Sequence, residues 1–291
     1  MDSRFRENDA CEANSGKLNP EIKMKPEQAS SSFIAIDHVS MRFGEIEAVR
    51  DVSMLIEKGE IFGLVGSDGA GKSTLLRMVA TMIKPTAGKI LIAGMDVVSE
   101  KRKVKNLIGY MPQRFGLYPD LTVDENLQFF MDIFGIPREE RKKRREKYLG
   151  FSNLLPFTDR PAGDLSGGMK QKLGLACVLI HEPSLLILDE PTNGVDPVSR
   201  QEFWDILGEM RREGMTIIVS TAYLDEGEKC NNLAMMHKAQ VIDIATPAAI
   251  RSSFPTLEAA MISRLQEADG DIAKDTFLPH PGPSPEGEGS I

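Results

Sequence analysis

The sequence predicts an α/β domain with a mainly parallel sheet, preceded by an antiparallel β element and interrupted by a helical insertion. The first observation is a set of apolar runs of strand length, at residues 60–65, 184–188 and 215–220. The second is that helical patterns separate these runs, and such alternation is typical of parallel sheets with helices on both faces. The chain has 291 residues, which is enough for one such domain with a full hydrophobic core.

The first part of the chain predicts three segments. Residues 1–32 are polar, rich in Asn, Ser, Lys, Glu and Pro, and predict a disordered N-terminal extension. Residues 34–56 indicate two strands around a turn at Gly44 and Glu45, which makes an antiparallel pair. Residues 60–92 then supply a strand, a helix and a further strand.

The second part of the chain predicts the insertion and the rest of the sheet. Residues from about 111 to 164 are expected to be mainly helical, with an amphipathic helix at 123–134. Strands and helices alternate again over 165–244, so the domain is expected to span 33–250. Residues 251–291 predict a flexible C-terminal tail, because their Pro- and Gly-rich end cannot build a core.

A glycine-rich loop follows the strand at residues 60–65. Residues 66–73 read GSDGAGKS and fit the pattern G-x-x-x-x-G-K-[ST] between a strand and a helix. The glycines let backbone N–H groups turn inward around phosphate oxygens, and the helix N-terminus adds partial positive charge. Lys72 is expected to reach the β- and γ-phosphates, and the Ser73 hydroxyl to bind Mg²⁺. A glycine-rich turn without a ligand is the alternative, but it gives the Lys-Ser pair no purpose.

The whole loop is expected to contact the nucleotide. Asp68 adds a negative charge beside the phosphates, which is expected to lower the affinity modestly. The expected nucleotide-binding residues here are Gly66, Ser67, Asp68, Gly69, Ala70, Gly71, Lys72, Ser73 and Thr74.

Two carboxylates end the apolar run at residues 184–188. Such a run predicts a central parallel strand, and ligands of parallel sheets bind beyond the carboxyl ends of the strands. Asp189 is therefore placed to hold Mg²⁺, directly or through water, and Glu190 to act as general base toward an attacking water. Two solvated charges at a strand end are the alternative, which the phosphate loop makes less attractive. The loop and the acidic strand together predict a P-loop NTPase core.

Further motifs resemble the nucleotide-binding subunit of ATP-binding cassette (ABC) transporters, in family order from about Ile34 to about Thr246. Phe43, in MRFG, is similar to the aromatic residue that stacks on adenine. Gln113, in YMPQRFGLYPDLT, is similar to the glutamine that touches Mg²⁺ and water and faces the transmembrane partner. The resemblance implies ATP and Mg²⁺ as cofactors.

The resemblance also assigns roles to the acidic strand and its surroundings. It implies that Glu190 and Gln113 are catalytic, and that Ser73, Gln113 and Asp189 hold the metal. It implies a P-loop NTPase core with an antiparallel β subdomain and an inserted helical subdomain.

The stretch LSGGMKQ at residues 165–171 is similar to the signature sequence of the same family. Ser166, Gly167 and Gly168 begin a predicted helix, whose free N–H groups can bind an anion. By the resemblance they cover the γ-phosphate held by a partner chain, and Asp196, in TNGVDP, lies in the segment that crosses the dimer interface. Simple N-capping by Ser166 is compatible with this role. The resemblance thus implies a second cassette, identical or different.

One position departs from the family pattern. After the strand at residues 215–220 the family usually has Thr-His, with the histidine on the γ-phosphate, whereas this chain has Thr221 and Ala222. Alanine has no side-chain donor, so we expect the chain to bind ATP but to hydrolyse it slowly in its own site.

Composition excludes several classes of protein. The formal net charge of −8 disfavours nucleic-acid binding, and three widely spaced cysteines predict neither disulfides nor a zinc site. Apolar runs of about 18 residues are absent, so any membrane location must come through a partner. We expect a cytoplasmic protein held at the inner face of the cell membrane by an integral-membrane permease.

The basic run PREERKKRREK at residues 137–147 has two interpretations. It predicts a solvated helix face, or a face that contacts anionic lipid headgroups.

The leading functional hypothesis is the ATPase subunit of an exporter-type ABC transporter, favoured by the segment LYPDLTVDENLQFF after Gln113. Two alternatives stay open: a non-transport regulatory ABC ATPase, or a truncated first half of a two-cassette transporter ATPase.

Overall fold

The computed structural model describes residues 32–252 and 254–268, and these contain two β-sheets and a set of helices. The strands are β1 (Ile34–Phe43), β2 (Ile46–Ile56), β3 (Ile61–Val65), β4 (Ala87–Ile92), β5 (Met95–Asp96), β6 (Ile108–Met111), β7 (Leu185–Asp189), β8 (Thr216–Thr221), β9 (Asn232–His237) and β10 (Gln240–Ala245). The α-helices are α1 (Lys72–Val79), α2 (Lys101–Lys105), α3 (Val123–Ile133), α4 (Arg138–Phe151), α5 (Gly167–Leu179), α6 (Pro197–Arg212), α7 (Leu224–Gly227), α8 (Pro247–Arg251) and α9 (Leu257–Ala268). Two short 3-10 helices lie at Leu155–Phe157 and Ala162–Asp164.

The first sheet is antiparallel, with strand order β2-β1-β4-β5. Its central hairpin pairs Ile34 with Ile56 at one end and Phe43 with Ile46 at the other, around the predicted turn. The turn needs Gly44 because its φ is +59°, in the left-handed region that favours glycine.

The second sheet has six strands in the order β10-β9-β3-β8-β7-β6, and only the β9–β10 pair is antiparallel. Its register pairs Val65 with Thr221 and Asp189 with Ser220, so β3, β7 and β8 end at one edge. Parallel strands bring their carboxyl ends to a common edge, and this edge carries the glycine-rich loop and the acidic pair. The predicted fold class is confirmed.

Each face of the second sheet is covered by its own hydrophobic core. On β7, Leu185 and Ile187 pack with α1 and the antiparallel sheet, whereas Leu186 and Leu188 pack with α5, α6 and the inserted helices. This division follows from the two-residue period of a strand. Burial on both faces explains why β7 is apolar throughout, and it fixes the position of the carboxylates that follow.

Strand β6 of the parallel sheet ends at Met111, where the predicted helical insertion begins, and the first inserted helix, α3, starts at Val123 as the sequence predicts. Helix α3 begins at a capping box, in which Thr122 accepts from the Glu125 N–H and the Glu125 carboxylate accepts from the Thr122 N–H. The side-chain nitrogen of fully buried Asn126 lies within hydrogen-bond distance of the carbonyls of Tyr118, Leu121 and Thr122, which share its two hydrogens, and so holds the loop before the helix.

The prediction of a flexible tail from residue 251 is wrong for residues 257–268, which form α9. Leu257, Ala260 and Met261 of this helix are buried in the larger core, because the apolar positions fall on one face. The rest of the predicted tail and the predicted disordered extension at 1–31 lie outside the described residues.

The basic run forms most of α4, and four of its cations pair with acids of the same chain. Arg141 pairs with Asp132 at 2.6 Å and Lys147 with Glu213 at 2.8 Å. Arg144 pairs with Glu140 and Glu182, and Arg145 with Asp124. This internal pairing favours a solvated helix face over a lipid-binding one.

Within the described residues, no helix combines the length and apolar character needed to cross a bilayer.

Candidate nucleotide-binding site

The glycine-rich loop curls tightly around a lysine side chain. Gly71 caps α1 with φ +103°, and Lys72 is the first residue of the helix. The Lys72 ammonium donates to the carbonyls of Gly66 at 2.7 Å and Ser67 at 3.1 Å, and the residue is only 4% exposed. The loop therefore presents one buried positive charge at the end of β3.

Close packing explains why Gly66 must be a glycine. A Cβ atom added at Gly66 would lie 2.2 Å from the Met236 carbonyl oxygen, a backbone atom that cannot swing away. We expect Gly66→Ala to lower both ATP affinity and the free energy of unfolding, the latter by about 1–3 kcal/mol, because the loop must shift. Urea unfolding and nucleotide titration measure the two effects.

Gly208→Ala is the matched control, because a Cβ at this position of α6 meets nothing within 4 Å. It is expected to gain roughly 0.5–1 kcal/mol from helix propensity and to keep ATP affinity. A Gly66→Ala protein with wild-type affinity would contradict the assignment of the loop to phosphate binding.

Asp189 is held by hydroxyl groups from neighbouring elements. The hydroxyls of Ser73 and Ser220 each donate to its Oδ1 at 2.8 Å, and Tyr110 Oη lies 3.5 Å from its Oδ2. Burial and the charge of Asp189 raise the pKa of Tyr110, so the phenol stays protonated and able to donate.

These residues fit Mg²⁺. Ser73 and Asp189 offer oxygen atoms, which are the ligands that this cation prefers. Groups of three or more His, Cys, Asp or Glu side chains able to hold a metal are absent from residues 32–252 and 254–268. An ion here would take its other ligands from phosphate and water, as Mg²⁺ commonly does.

Glu190 stands at the centre of a second set of contacts. Its φ is +49°, a strained value for a residue with a side chain. Its Oε2 accepts from Gln113 Nε2 at 2.9 Å and from Asn193 Nδ2 at 3.3 Å, while its Oε1 lies 3.2 Å from Lys72 Nζ. The carboxylate is thus oriented by two amides and neutralised by the lysine.

The buried pair of Lys72 and Glu190 joins the phosphate loop to the acidic strand. Desolvated charges are stable only when they are paired, so each residue holds the other in place. A bound phosphate would compete with Glu190 for Lys72. If Lys72 moved to the phosphate, Glu190 would keep its hydrogen bonds with the side-chain amides of Gln113 and Asn193.

The signature segment begins α5 away from these contacts. Ser166 caps the helix by accepting from the Met169 N–H at 3.3 Å, and Gly167 has nothing within 4 Å of an added Cβ. Gly168 packs so closely on α6 that a Cβ would lie 2.3 Å from Ser199 Cβ. Within residues 32–252 and 254–268, no hydrogen bond or ion pair joins Ser166–Gly168 to the loop at 66–73.

Asp196 caps the neighbouring helix α6. Its carboxylate accepts from the Ser199 N–H at 2.9 Å, and this bond lowers the pKa of the carboxyl group. Asp196 therefore stays charged, next to the start of α5.

Phe43 and Ala222 are both exposed. Phe43 ends β1 with 49% of its surface exposed, which leaves a ring face for a flat ligand. Ala222 directly follows β8 at the edge that carries Asp189 and Glu190.

Sequence reasoning missed three residues of this edge, namely Ser220, Tyr110 and Asn193. Ser220 is the penultimate residue of strand β8 and lies beside Asp189, and a polar residue directly after an apolar run was the available signal. Tyr110 and Asn193 carried no comparable signal, because their contacts depend on the folded backbone.

Comparison with known proteins indicates the same family as the sequence motifs. Residues 49–193 match the ABC transporter family. The chain is 45% identical over 223 residues to the probable multidrug ABC transporter ATP-binding protein YbhF of Escherichia coli (strain K12), covering 76% of this chain and 39% of that protein. It is 38% identical over 215 residues to the ABC transporter ATP-binding protein NatA of Bacillus subtilis (strain 168), covering 72% of this chain and 87% of NatA. It is 35% identical over 223 residues to the Nod factor export ATP-binding protein I of Ralstonia nicotianae (strain ATCC BAA-1114 / GMI1000), covering 76% of this chain and 70% of that protein.

Solved structures of ATP-binding subunits share the fold of this chain. An ATP-binding subunit of an ABC transporter superposes with a TM-score of 0.72 at 26% identity, over 80% of this chain and all of the other. A dimeric post-hydrolysis state of the ATP-binding cassette MJ0796 bound to ADP and Pi superposes with a TM-score of 0.66 at 26% identity, over 73% of this chain and 98% of the other.

The fold and the site together define a P-loop nucleotide-binding cassette. The chain belongs to the ABC transporter family, as the resemblance of its motifs predicts. It spans 39% of the length of YbhF.

Proposed function

We propose that this chain is the ATP-binding and ATP-hydrolysing subunit of an export-type ABC transporter. The observation that carries the proposal is the meeting of Lys72, Ser73, Gln113, Asp189 and Glu190 at one edge of the parallel sheet. A relative named as a Nod factor export ATP-binding protein supports export, and one named as a probable multidrug ABC transporter ATP-binding protein supports transport.

In this proposal each side chain has a defined role in hydrolysis, and Gln113 has two. Glu190 takes a proton from the attacking water, and Gln113 and Asn193 orient its carboxylate. Lys72 and the loop amides hold the β- and γ-phosphates. Ser73, Asp189 and Gln113 would hold Mg²⁺, which neutralises charge on the phosphates.

A second cassette completes the proposed machine. Ser166 and Gly167 are exposed at a helix start, with Gly168 buried behind them, and they do not hydrogen-bond to the phosphate loop of their own chain, which suits an anion held by another chain. Val198, two residues after Asp196, is 69% exposed, and a partner would cover it. The solved cassette dimer among the structural neighbours supports this pairing.

The proposed membrane partner is a permease that docks in a groove beside the site. This groove has a volume of about 640 Å³ and separates the parallel sheet from the inserted helices. Met82 and Phe134 line it and are 56% and 43% exposed. Tyr110 lines the groove and its hydroxyl also donates to Asp189, so a permease bound in the groove would lie next to the nucleotide site.

Attachment to a permease would place the chain on the inner face of the cell membrane. Its own ATP site is proposed to be slow, because Ala222 offers no donor to the γ-phosphate. A regulatory ABC ATPase without a permease, and the first half of a two-cassette protein, are the competing functions.

Co-purification from membranes tests the permease. An affinity-tagged chain is expected to bring down an integral membrane protein with several spans. Met82→Asp should lower the recovery by about tenfold, because it replaces an exposed apolar side chain of the groove with a charged one. Mass spectrometry of the solubilised complex measures both.

Val98→Asp is the matched control, since Val98 is exposed outside the groove and should tolerate the charge. Recovery of the wild-type chain without any membrane protein would contradict the transport function and favour a regulatory ATPase.

A further inference from the structure

One carboxylate deep in the protein has no role in the site described above. Glu226, on α7, is 1% exposed. Its Oε2 accepts from the Thr221 hydroxyl at 2.6 Å, and its Oε1 accepts from the Thr192 hydroxyl at 2.6 Å. Arg200 Nε lies 3.2 Å from Oε1 and balances the charge. A buried carboxylate needs hydrogen-bond donors and a positive charge nearby, so Glu226 links the segments that supply them firmly together.

The two hydroxyl donors, Thr221 and Thr192, belong to segments that lie next to the proposed ATP sites. Thr221 ends β8 and precedes Ala222, where the family histidine is missing. Thr192 precedes Asn193, which contacts Glu190, and begins the segment that runs to Asp196. One side chain therefore joins position 222 to the segment proposed to cross the cassette interface.

A second clamp strengthens the same connection. Arg200 also reaches Asp225 Oδ2 at 3.1 Å, and its guanidinium lies 4.2 Å from the centre of the Tyr223 ring. The Tyr223 N–H in turn donates to Thr221 Oγ1 at 3.0 Å. Residues 221–226 are thus fixed from α6, the helix that Asp196 caps.

We propose that Glu226 is a positioning residue that holds the segment Thr192–Asp196 for the ATP bound by the partner cassette. Ala222 has no side-chain donor for phosphate, so the ordered segment beside it does not supply one to the chain's own site. Glu226 also accepts a hydrogen bond from Thr192, and through Thr192 it positions the residues that face the other chain. This inference rests on the proposed two-cassette function.

The test isolates the partner's site in mixed pairs of the full chain. Chains carrying Lys72→Ala are mixed in excess with wild-type chains, so that each wild-type phosphate site meets the signature of a Lys72→Ala chain. Adding Thr192→Val to the Lys72→Ala chain removes the hydroxyl without changing the size of the side chain. Phosphate release by the wild-type chains is expected to fall about tenfold, because the segment facing them is displaced. Thr192→Ser, which keeps the hydroxyl, should restore the rate.

Two further measurements separate positioning from a general loss of stability. Thr192→Val alone should bind ATP in its own site within about twofold of wild type, because the phosphate loop is untouched. Thr216→Val is the matched control: Thr216 is also a buried threonine whose hydroxyl is hydrogen-bonded, to the Gly59 N–H at 3.0 Å, but at the opposite end of β8. It should lower the unfolding midpoint similarly and leave the partner's rate unchanged.

Glu226→Gln tests the carboxylate directly and should act like Thr192→Val. Since it leaves Arg200 without its buried partner, Thr192→Val decides the matter if Glu226→Gln does not fold. An unchanged partner rate with Thr192→Val, or an equal loss with Thr216→Val, would overturn the inference. If wild-type phosphate release proves independent of chain concentration, the two-cassette function itself fails, and this inference with it.

Discussion

Glu190→Gln is expected to slow ATP hydrolysis by about 10²–10⁴-fold, the range that a general base contributes. Glutamine keeps the size of the side chain and can still contact Gln113 and Asn193, but it cannot take a proton from water. ATP binding should persist or tighten, because Lys72 no longer has to give up its ion pair with a carboxylate 3.2 Å away when it binds the phosphates. Phosphate release measures the first effect, and titration with a fluorescent ATP analogue the second.

Glu202→Gln is the control for this experiment. Glu202 also pairs with a buried lysine, Lys172 at 2.7 Å, but outside the nucleotide site. It should leave the rate of hydrolysis unchanged. A Glu190→Gln protein that hydrolyses ATP at the wild-type rate would remove Glu190 from the mechanism.

Ala222→His is expected to raise ATP turnover by about 100-fold, the size of the effect seen when a donor to a developing oxyanion is removed. The position is favourable because Ala222 is exposed at the edge where β7 and β8 end, beside Glu190. Glu226 and Thr221 already order the backbone there, so the new side chain need not organise it. Steady-state ATPase assays of the two proteins measure the change.

Ala222→Leu separates chemistry from bulk, because leucine adds a side chain without a donor. It should not accelerate turnover. Equal rates for the wild type and Ala222→His would show that the missing histidine is not what limits this chain.

The sheet and the phosphate loop could be predicted because their signals are local. The loop at residues 66–73 needs its glycines and lysine in one short stretch, and the apolar strand before Asp189 is readable without any partner. The hairpin around Gly44 and the helix at 123–133 follow from equally local patterns. The parallel sheet, with its strand ends at a common edge, then follows from the alternation of strands and helices.

The contacts between distant segments could not be predicted. Thr192 and Glu226 are separated by 34 positions, and nothing in either residue type announces their bond. The pairing of Lys72 with Glu190 depends on how β3 and β7 lie relative to each other across β8. Helix α9 was missed for another reason, because the polar and Pro-rich residues that follow it hid an apolar face at Leu257, Ala260 and Met261.

The hydroxyl of Ser73 has a consequence for how this protein receives a cation. Its hydrogen is already donated to Asp189, 2.8 Å away, and a second hydroxyl, that of Ser220, donates to the same oxygen. A hydroxyl group that has committed its only hydrogen can turn nothing but lone pairs toward its remaining neighbours. The serine is therefore polarised before any ligand arrives, so a divalent ion finds an electron-rich oxygen that does not have to reorient.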